Sequence, residues 1–239
     1  EKEKDPIRAI YARRADHIMQ IGEKAPAAQP DLRPGQIVIK DLDGYVRDEN
    51  GNPKVDQNGR FMLLGHADGT IDEADTQLIG TQDPGWMASM TNTFKYKGFD
   101  LNIMFNGMFD RIMQDPTEMD FGLNGGNIAQ NGSNMLRIIK DRWTFDNPST
   151  TRPSSYYTSG TKYTAGDFFY QKAWFIRLQN ISLGYTLPKS ILTKSKILNN
   201  VRFHASVNNV FVITPYNGLD PETDAYAAAY PNARTFSFG

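Results

Sequence analysis

The sequence predicts an all-β chain, made of antiparallel strands of a transmembrane β-barrel with long loops at one end. Three observations predict it. Period-two alternation is the dominant pattern, giving each segment one apolar and one polar face. Short and long connections alternate along the segments, as they do between the two ends of an outer-membrane barrel. No stretch approaches 18 consecutive apolar residues and the mean hydropathy is -0.53, so no helix can cross a membrane, whereas alternating strands still can. Alternation alone fits a soluble β-sandwich equally well. The length of the strands and of the loops favours the barrel.

The segments fall in order. Residues 1–33 read as a barrel strand and loop region, and residues 34–83 as an acidic loop. Residues 45–67 form a small inserted hairpin or meander, marked by the turn signals Asn50-Gly51 and Asn58-Gly59 between Val46, Val55 and Phe61. Residues 84–239 hold the C-terminal barrel strands and extracellular loops. In Trp86–Tyr96, Trp86, Ala88, Met90, Phe94 and Tyr96 share one face. Lys97-Gly98 is a minimal turn, after which Phe99, Leu101, Ile103 and Phe105 alternate with Asp100, Asn102, Met104 and Asn106. In Trp174–Leu187, Trp174, Ile176 and Leu178 share one phase and Ile181, Leu183, Tyr185 and Leu187 the opposite one. The slip near Gln179-Asn180 predicts a bulge or a change of face. Val201, Phe203, Ala205, Val207, Phe211 and Ile213 form the next apolar stripe, and Phe236 and Phe238 begin another. One helix is predicted, over Asn134–Trp143, with Met135, Ile138, Ile139 and Arg142 on one face and Gly132-Ser133 at its start.

Composition narrows the function. The chain has 239 residues, enough for one large domain or two small ones. Lys and Arg total 26 against 27 Asp and Glu, which excludes the broad basic surface of a general nucleic-acid binder. Aromatic residues make up 12% of the chain, too many for a disordered segment. There is no cysteine, hence no disulfide, thiolate metal site or cysteine nucleophile. The chain opens on charged residues without Met or a signal-peptide pattern, and it closes on what reads as a strand cut short. A fragment of a longer protein is therefore expected.

Catalytic motifs are absent. The three histidines, His17, His66 and His204, form no H-E-x-x-H, and there is no G-x-S-x-G. Gly122–Gly132 lacks the Lys-Ser/Thr of a phosphate-binding loop and reads as a flexible loop. No residue is assigned to catalysis, and the chain is not expected to be an enzyme.

Two sets of residues could bind something. With the insert removed, the acidic loop reads D-x-D followed by D-G-x-I-D-x-x-D, close to a calcium loop with oxygens at Asp41, Asp43, Asp68, Thr70 (through its carbonyl), Asp72 and Asp75. The expected ion is Ca2+. The alternative is a solvated acidic turn. Aromatic residues also gather in the long loops. Tyr156, Tyr157, Tyr163, Phe169, Tyr170 and Tyr216 are the candidates for stacking on a ligand, and others near strand ends suit an interfacial aromatic girdle.

The order of segments carries a resemblance. Pro34-Gly35-Gln36-Ile37 leads into Lys40-Asp41-Leu42-Asp43-Gly44. Then come Gly69-Thr70-Ile71-Asp72-Glu73-Ala74-Asp75, Leu78-Ile79-Gly80, Tyr96-Lys97-Gly98-Phe99-Asp100, Asp141-Arg142-Trp143-Thr144 and the run from Phe175 to Pro188. Val207-Asn208-Asn209-Val210-Phe211, Gly218-Leu219-Asp220-Pro221-Glu222 and Tyr230-Pro231-Asn232-Ala233-Arg234-Thr235-Phe236-Ser237-Phe238-Gly239 follow. From about residue 34 to the end, this series resembles the C-terminal part of the SusC/RagA family of TonB-dependent outer-membrane transporters. The insert at 45–67 departs from that pattern.

The resemblance implies the C-terminal portion of a large barrel, roughly 22-stranded in this class of transporter, multi-pass in the outer membrane and in contact with its lipid. It implies import of oligosaccharides or peptides, a SusD-like surface lipoprotein as partner, and TonB acting through an N-terminal part that this sequence does not contain. No nucleic acid is expected. The alternative is a soluble, calcium-stabilised β-sandwich that binds carbohydrate. A secreted glycan-cleaving enzyme is a third class, for which the sequence offers no motif.

Overall fold

The computed structural model describes residues 5–115, 118, 134–155, 166–193, 198–223 and 230–239. Among the described residues eleven strands follow in chain order. They are β1 (Ala9–Arg13), β2 (Ala15–Ile18), β3 (Ile37–Ile39), β4 (Thr76–Thr81), β5 (Trp86–Tyr96), β6 (Phe99–Phe109), β7 (Ile112–Gln114), β8 (Tyr170–Lys172), β9 (Phe175–Thr186), β10 (Arg202–Ile213) and β11 (Thr235–Phe238). A short helix, α1, spans Lys189–Leu192. The chain divides into two compact units that are discontinuous in sequence. One holds residues 1–5, 9–80 and 115–170, and the other holds residues 6–8, 81–114 and 171–239.

The second unit is built on a five-stranded sheet in the order β11-β10-β9-β6-β5, with every described pairing antiparallel. β5 and β6 form the predicted hairpin, in register from Tyr96↔Phe99 to Trp86↔Phe109. Lys97 and Gly98 both have positive φ, 46° and 89°, the two left-handed positions of a type I′ turn. Gly98 is also needed for space, because a Cβ there would meet the Thr186 carbonyl oxygen at 2.8 Å. Among the described residues β5 and β11 have no further neighbour, so the sheet is open at both edges.

The slip predicted near Gln179-Asn180 is a bulge. Met104 and Phe105 are adjacent on β6, yet they pair with Asn180 and Leu178 on β9, leaving Gln179 as an extra residue. β10 gains another between Asn208 and Phe211, where Asn209 adopts φ 52°. Each extra residue shifts the phase of its strand by one, so side chains on either side of the bulge return to the same face. Ile181 and Leu178 thereby line up with Ile103 and Phe105.

The first unit is smaller-grained. β1 pairs with β4 and β2 with β3, so the strands within residues 1–33 do not join the five-stranded sheet. Its interior gathers Ala12, Ile18, Met19, Ile37, Val38, Ile39, Ala74, Trp143 and Phe169. The buried Gln29 carboxamide oxygen accepts the Ile39 N–H at 2.9 Å, closing an otherwise orphaned strand donor.

The inserted meander is present. Tyr45 pairs with Leu63, Arg47 with Pro53, and Val55 with Phe61. Val46 N–H donates to Met62 O, Met62 N–H to Lys54 O, and Lys54 N–H to Val46 O, so three short segments close on one another. Its two turns are stabilised alike: the Asp48 carboxylate accepts from Asn50 and Asn52, and that of Asp56 from Asn58 and Arg60. Those amide donors, led by Asn52 and by Arg60, hold both carboxyls below the usual range.

The helix predicted over Asn134–Trp143 is corrected to a single 3-10 turn, Arg137–Asp141. Leu136 precedes it and offers no side-chain cap. Trp143 is buried, and its backbone N–H is spent on Arg152 O at 3.1 Å, so the chain is extended again by Arg142.

Candidate functional site

The register of the second unit gathers the apolar stripes into one surface. Trp86, Ala88, Met90, Phe94 and Tyr96 of β5 lie beside Phe99, Leu101, Ile103, Phe105 and Phe109 of β6. Ile176, Leu178, Ile181, Leu183 and Tyr185 of β9 continue it, followed by Phe203, Ala205, Val207, Phe211 and Ile213 of β10 and Phe236 and Phe238 of β11. Asn92 is the polar interruption on β5. The surface is open: Phe94 is 57% exposed, Phe203 58% and Phe238 79%. Five strands of exposed apolar side chains far exceed the patch that a soluble monomer leaves bare.

Aromatic rings bracket this surface at both ends. At one end Trp86 stacks on Phe109 with centroids 3.8 Å apart, and Phe109 lies 6.4 Å from Trp174. At the other are Tyr96, Phe99, Tyr185, Phe203 and Phe238, with Phe99 and Tyr185 4.3 Å apart. From Trp86 to Tyr96 the strand runs about 33 Å. At the tilt usual in barrels that is about 25 Å of depth, the height of an outer-membrane apolar band.

The opposite face is polar. Asp100, Asn102, Asn106, Asn180, Ser182, Ser206, Asn208, Thr235 and Ser237 lie on it. Their side chains bond across strands: Asn180 donates to Asn208 at 2.7 Å, Asn208 to Thr235 at 3.2 Å, and Asn102 to Thr93 at 3.0 Å. Arg202 reaches Asp100 at 2.7 Å over Gly184, where any Cβ would sit 2.6 Å from the guanidinium and 2.7 Å from the carboxylate.

A buried ion-pair group, which the sequence reading did not pick out, ties the β10–β11 connection to the sheet. Arg177 of β9, its side chain 4% exposed, meets Asp220 at 2.6 Å and Glu222 at 3.2 Å. Asp220 also accepts the Glu222 and Asn232 N–H groups, and Arg111 donates to the Pro221 carbonyl. The signal was present in Gly218-Leu219-Asp220-Pro221-Glu222 and in the lone Arg of the 175–188 segment, but only the fold shows that they meet.

The acidic loop closes on itself, and its carboxylates accept backbone amides. The Leu64 N–H bonds Gly44 O, so the insert leaves beside where it enters. Asp41 accepts from Asp68 and Gly69, Asp43 from Gly44 and Gly65, Asp68 from Thr70, and Asp72 from Ala74. Fully buried Asp75 accepts from Leu42, Asp43 and Asp72. Thr70 enters through its N–H. Among the described residues no group of three or more His, Cys, Asp or Glu side chains is placed to hold a metal ion. In this conformation backbone donors reach every carboxylate of the set expected to bind Ca2+.

The aromatic candidates divide. Tyr156, Tyr157 and Tyr163 lie outside the described residues, as do Tyr226 and Gly122–Gly132. Phe169 and Tyr216 are buried, which corrects their reading as ligand-facing rings. Tyr216 packs with Met113 and Ala173 and donates its hydroxyl to Gln114 O at 3.2 Å, because a loop drawn onto the sheet needs an apolar anchor. Tyr170 is half-buried at the start of β8.

No protein-family model matches the sequence. Among curated proteins it is similar to the TonB-dependent receptor SusC of Bacteroides thetaiotaomicron, with 30% identity over 81% of this chain and 18% of that protein. It is also similar to TonB-dependent receptor P3 of Formosa agariphila, with 27% identity over 77% of this chain and 19% of that protein. The chain thus spans about one fifth of the length of the curated relatives it matches. Among solved structures it shares its fold with the RagAB peptide transporter, at TM-score 0.66, 20% identity, 95% of this chain and 22% of that one. The RagAB peptide importer in its open-open state gives TM-score 0.64 at 20% identity, covering 95% of this chain and 21% of that one. The names of these relatives are those of receptors and transporters.

Proposed function

We propose that the chain belongs with the SusC/RagA-like TonB-dependent receptors, to which it is similar, and that it forms part of the wall of an outer-membrane importer. The observation that carries this reading is the five-stranded sheet with an exposed apolar face, a polar face behind it and aromatic rings at both ends. The apolar face meets lipid, and the polar face meets the lumen. The short turn at Lys97-Gly98 faces the periplasm, and the end of the sheet at Trp86, Phe109 and Trp174 faces outward. A soluble sandwich would bury its apolar face, whereas Phe94, Phe203 and Phe238 of this sheet are exposed.

The finer parts of the proposal are a SusD-like surface lipoprotein as partner, TonB as the source of energy, and oligosaccharides or peptides as cargo. SusC and P3 support the TonB dependence by their names, and RagAB is a peptide importer. This chain does no covalent chemistry. It supplies wall, lumen surface and outer loops.

Membrane fractionation tests the reading. The protein carrying this chain is expected in the outer-membrane fraction, with gel migration that changes on boiling. Uptake of labelled peptides or oligosaccharides is expected to stop when TonB is deleted. A protein that stays soluble, with unchanged migration, would overturn the proposal.

A further inference from the structure

We propose that the short-turn end of the sheet binds the phosphate of anionic phospholipids, through Lys97 and Lys189, and that this contact holds the wall at its depth in that leaflet. The inference rests on the membrane-wall reading above. The two ends of the sheet differ in charge. Among the described residues, 94–100, 186–193 and 198–204 hold four Lys or Arg, Lys95, Lys97, Lys189 and Arg202, against one acid, Asp100. At the opposite end the signs balance: Asp83 meets Arg8, Asp220 and Glu222 meet Arg177, and Asp110 lies among Arg111 and Lys172.

Geometry separates the cations of the short-turn end. Arg202 is committed to Asp100 on the polar face, and Lys95, in register with Asp100, points to that face too. Lys97 differs. It sits at the tip of the turn with its ammonium 5.2 Å from the centroid of Tyr96, a ring of the apolar face, so its charge lies on the lipid side. It is exposed, and among the described residues no carboxylate pairs with it. Lys189 is exposed at the start of α1, a helix whose Ile191 is 54% exposed. Cations beside exposed apolar side chains, at the rim of an aromatic belt, occupy the level of lipid phosphates. The charged rim is continuous with the apolar face, and its sign complements an anionic headgroup.

The test uses the membrane-extracted protein in detergent with equal phosphatidylglycerol and phosphatidylcholine, and reads retained lipid by native mass spectrometry. Phosphatidylglycerol is expected to be retained in preference. Each lysine is worth about fivefold in that preference, so K97Q with K189Q is expected to lower it more than tenfold, while K97R with K189R retains it. Equal retention of both lipids, or a preference unchanged in the glutamine variant, would overturn the proposal. Heat-modifiable migration of each variant separates the causes. If migration is normal and the preference absent, only the lipid contact falls. If the starting protein lacks heat-modifiable migration, the wall reading falls with it.

Discussion

At the residue scale, the acidic loop is organised by carboxylates that solve a backbone problem. Asp75 is fully buried and accepts three N–H groups, from Leu42, Asp43 and Asp72. Replacing it by Ala leaves those donors buried without an acceptor, a loss of about 3 kcal/mol. Denaturant unfolding of Asp75→Ala against the parent is expected to show this, and Asp68→Ala, at an exposed turn, is expected to cost under about 1 kcal/mol. His17 is a second case. Its ring nitrogens meet Asp16 at 2.9 Å and Glu23 at 2.5 Å, and hydrogen bonds to Asp16 first and Glu23 next raise its pKa above the ordinary value. A raised folded-state pKa means stability that is complete below the ordinary histidine value and lost as pH rises through the folded one. Amide exchange around residues 18–24 is expected to quicken across that window. A His17→Gln variant with the same pH profile would count against the assignment.

At the element scale, the two faces of a strand should tolerate different substitutions. Ile103 lies near mid-depth on the apolar face, between Asn92 and Ile181, whereas Asn102 is on the polar face. In lipid vesicles Ile103→Arg is expected to cost about 2–4 kcal/mol, with Asn102→Arg much closer to neutral. Equal costs in urea unfolding would mean that the sheet does not face lipid. The loop tie behaves as a unit of another kind. Removing Arg177 leaves Asp220 buried without its cation, so Arg177→Ala is expected to destabilise by about 3–5 kcal/mol, and Arg177→Met with Asp220→Leu by less than Arg177→Ala alone. Legibility also varied by element. Strand alternation read directly because successive residues face opposite ways. The phase slip in 174–187 was visible, and its meaning came from the strand beside it. The predicted helix failed because helical spacing in ten residues cannot compete with the burial of Trp143.

At the scale of the whole molecule, a sheet that among the described residues has five strands and two unpaired edges does not close, since membrane barrels need eight or more. Expressed alone with detergent or lipid, this chain is expected to aggregate through β5 and β11 and to show no heat-modifiable band. A folded, heat-modifiable monomer would contradict that. The sequence by itself determined the strands, their apolar and polar faces, the Lys97-Gly98 turn, the meander at 45–67 and the absence of catalytic motifs, because each is a local pattern of one or two turns of backbone. Only the tertiary structure decided that the bulges at Gln179 and Asn209 bring the apolar stripes into one surface. It alone showed that Arg177 meets Asp220 across 43 residues of chain, that Tyr216 is an anchor, and that the aspartates of the acidic loop spend their oxygens on amides. Those outcomes depend on which distant groups arrive first at a buried donor or charge, and residue order does not encode that distance.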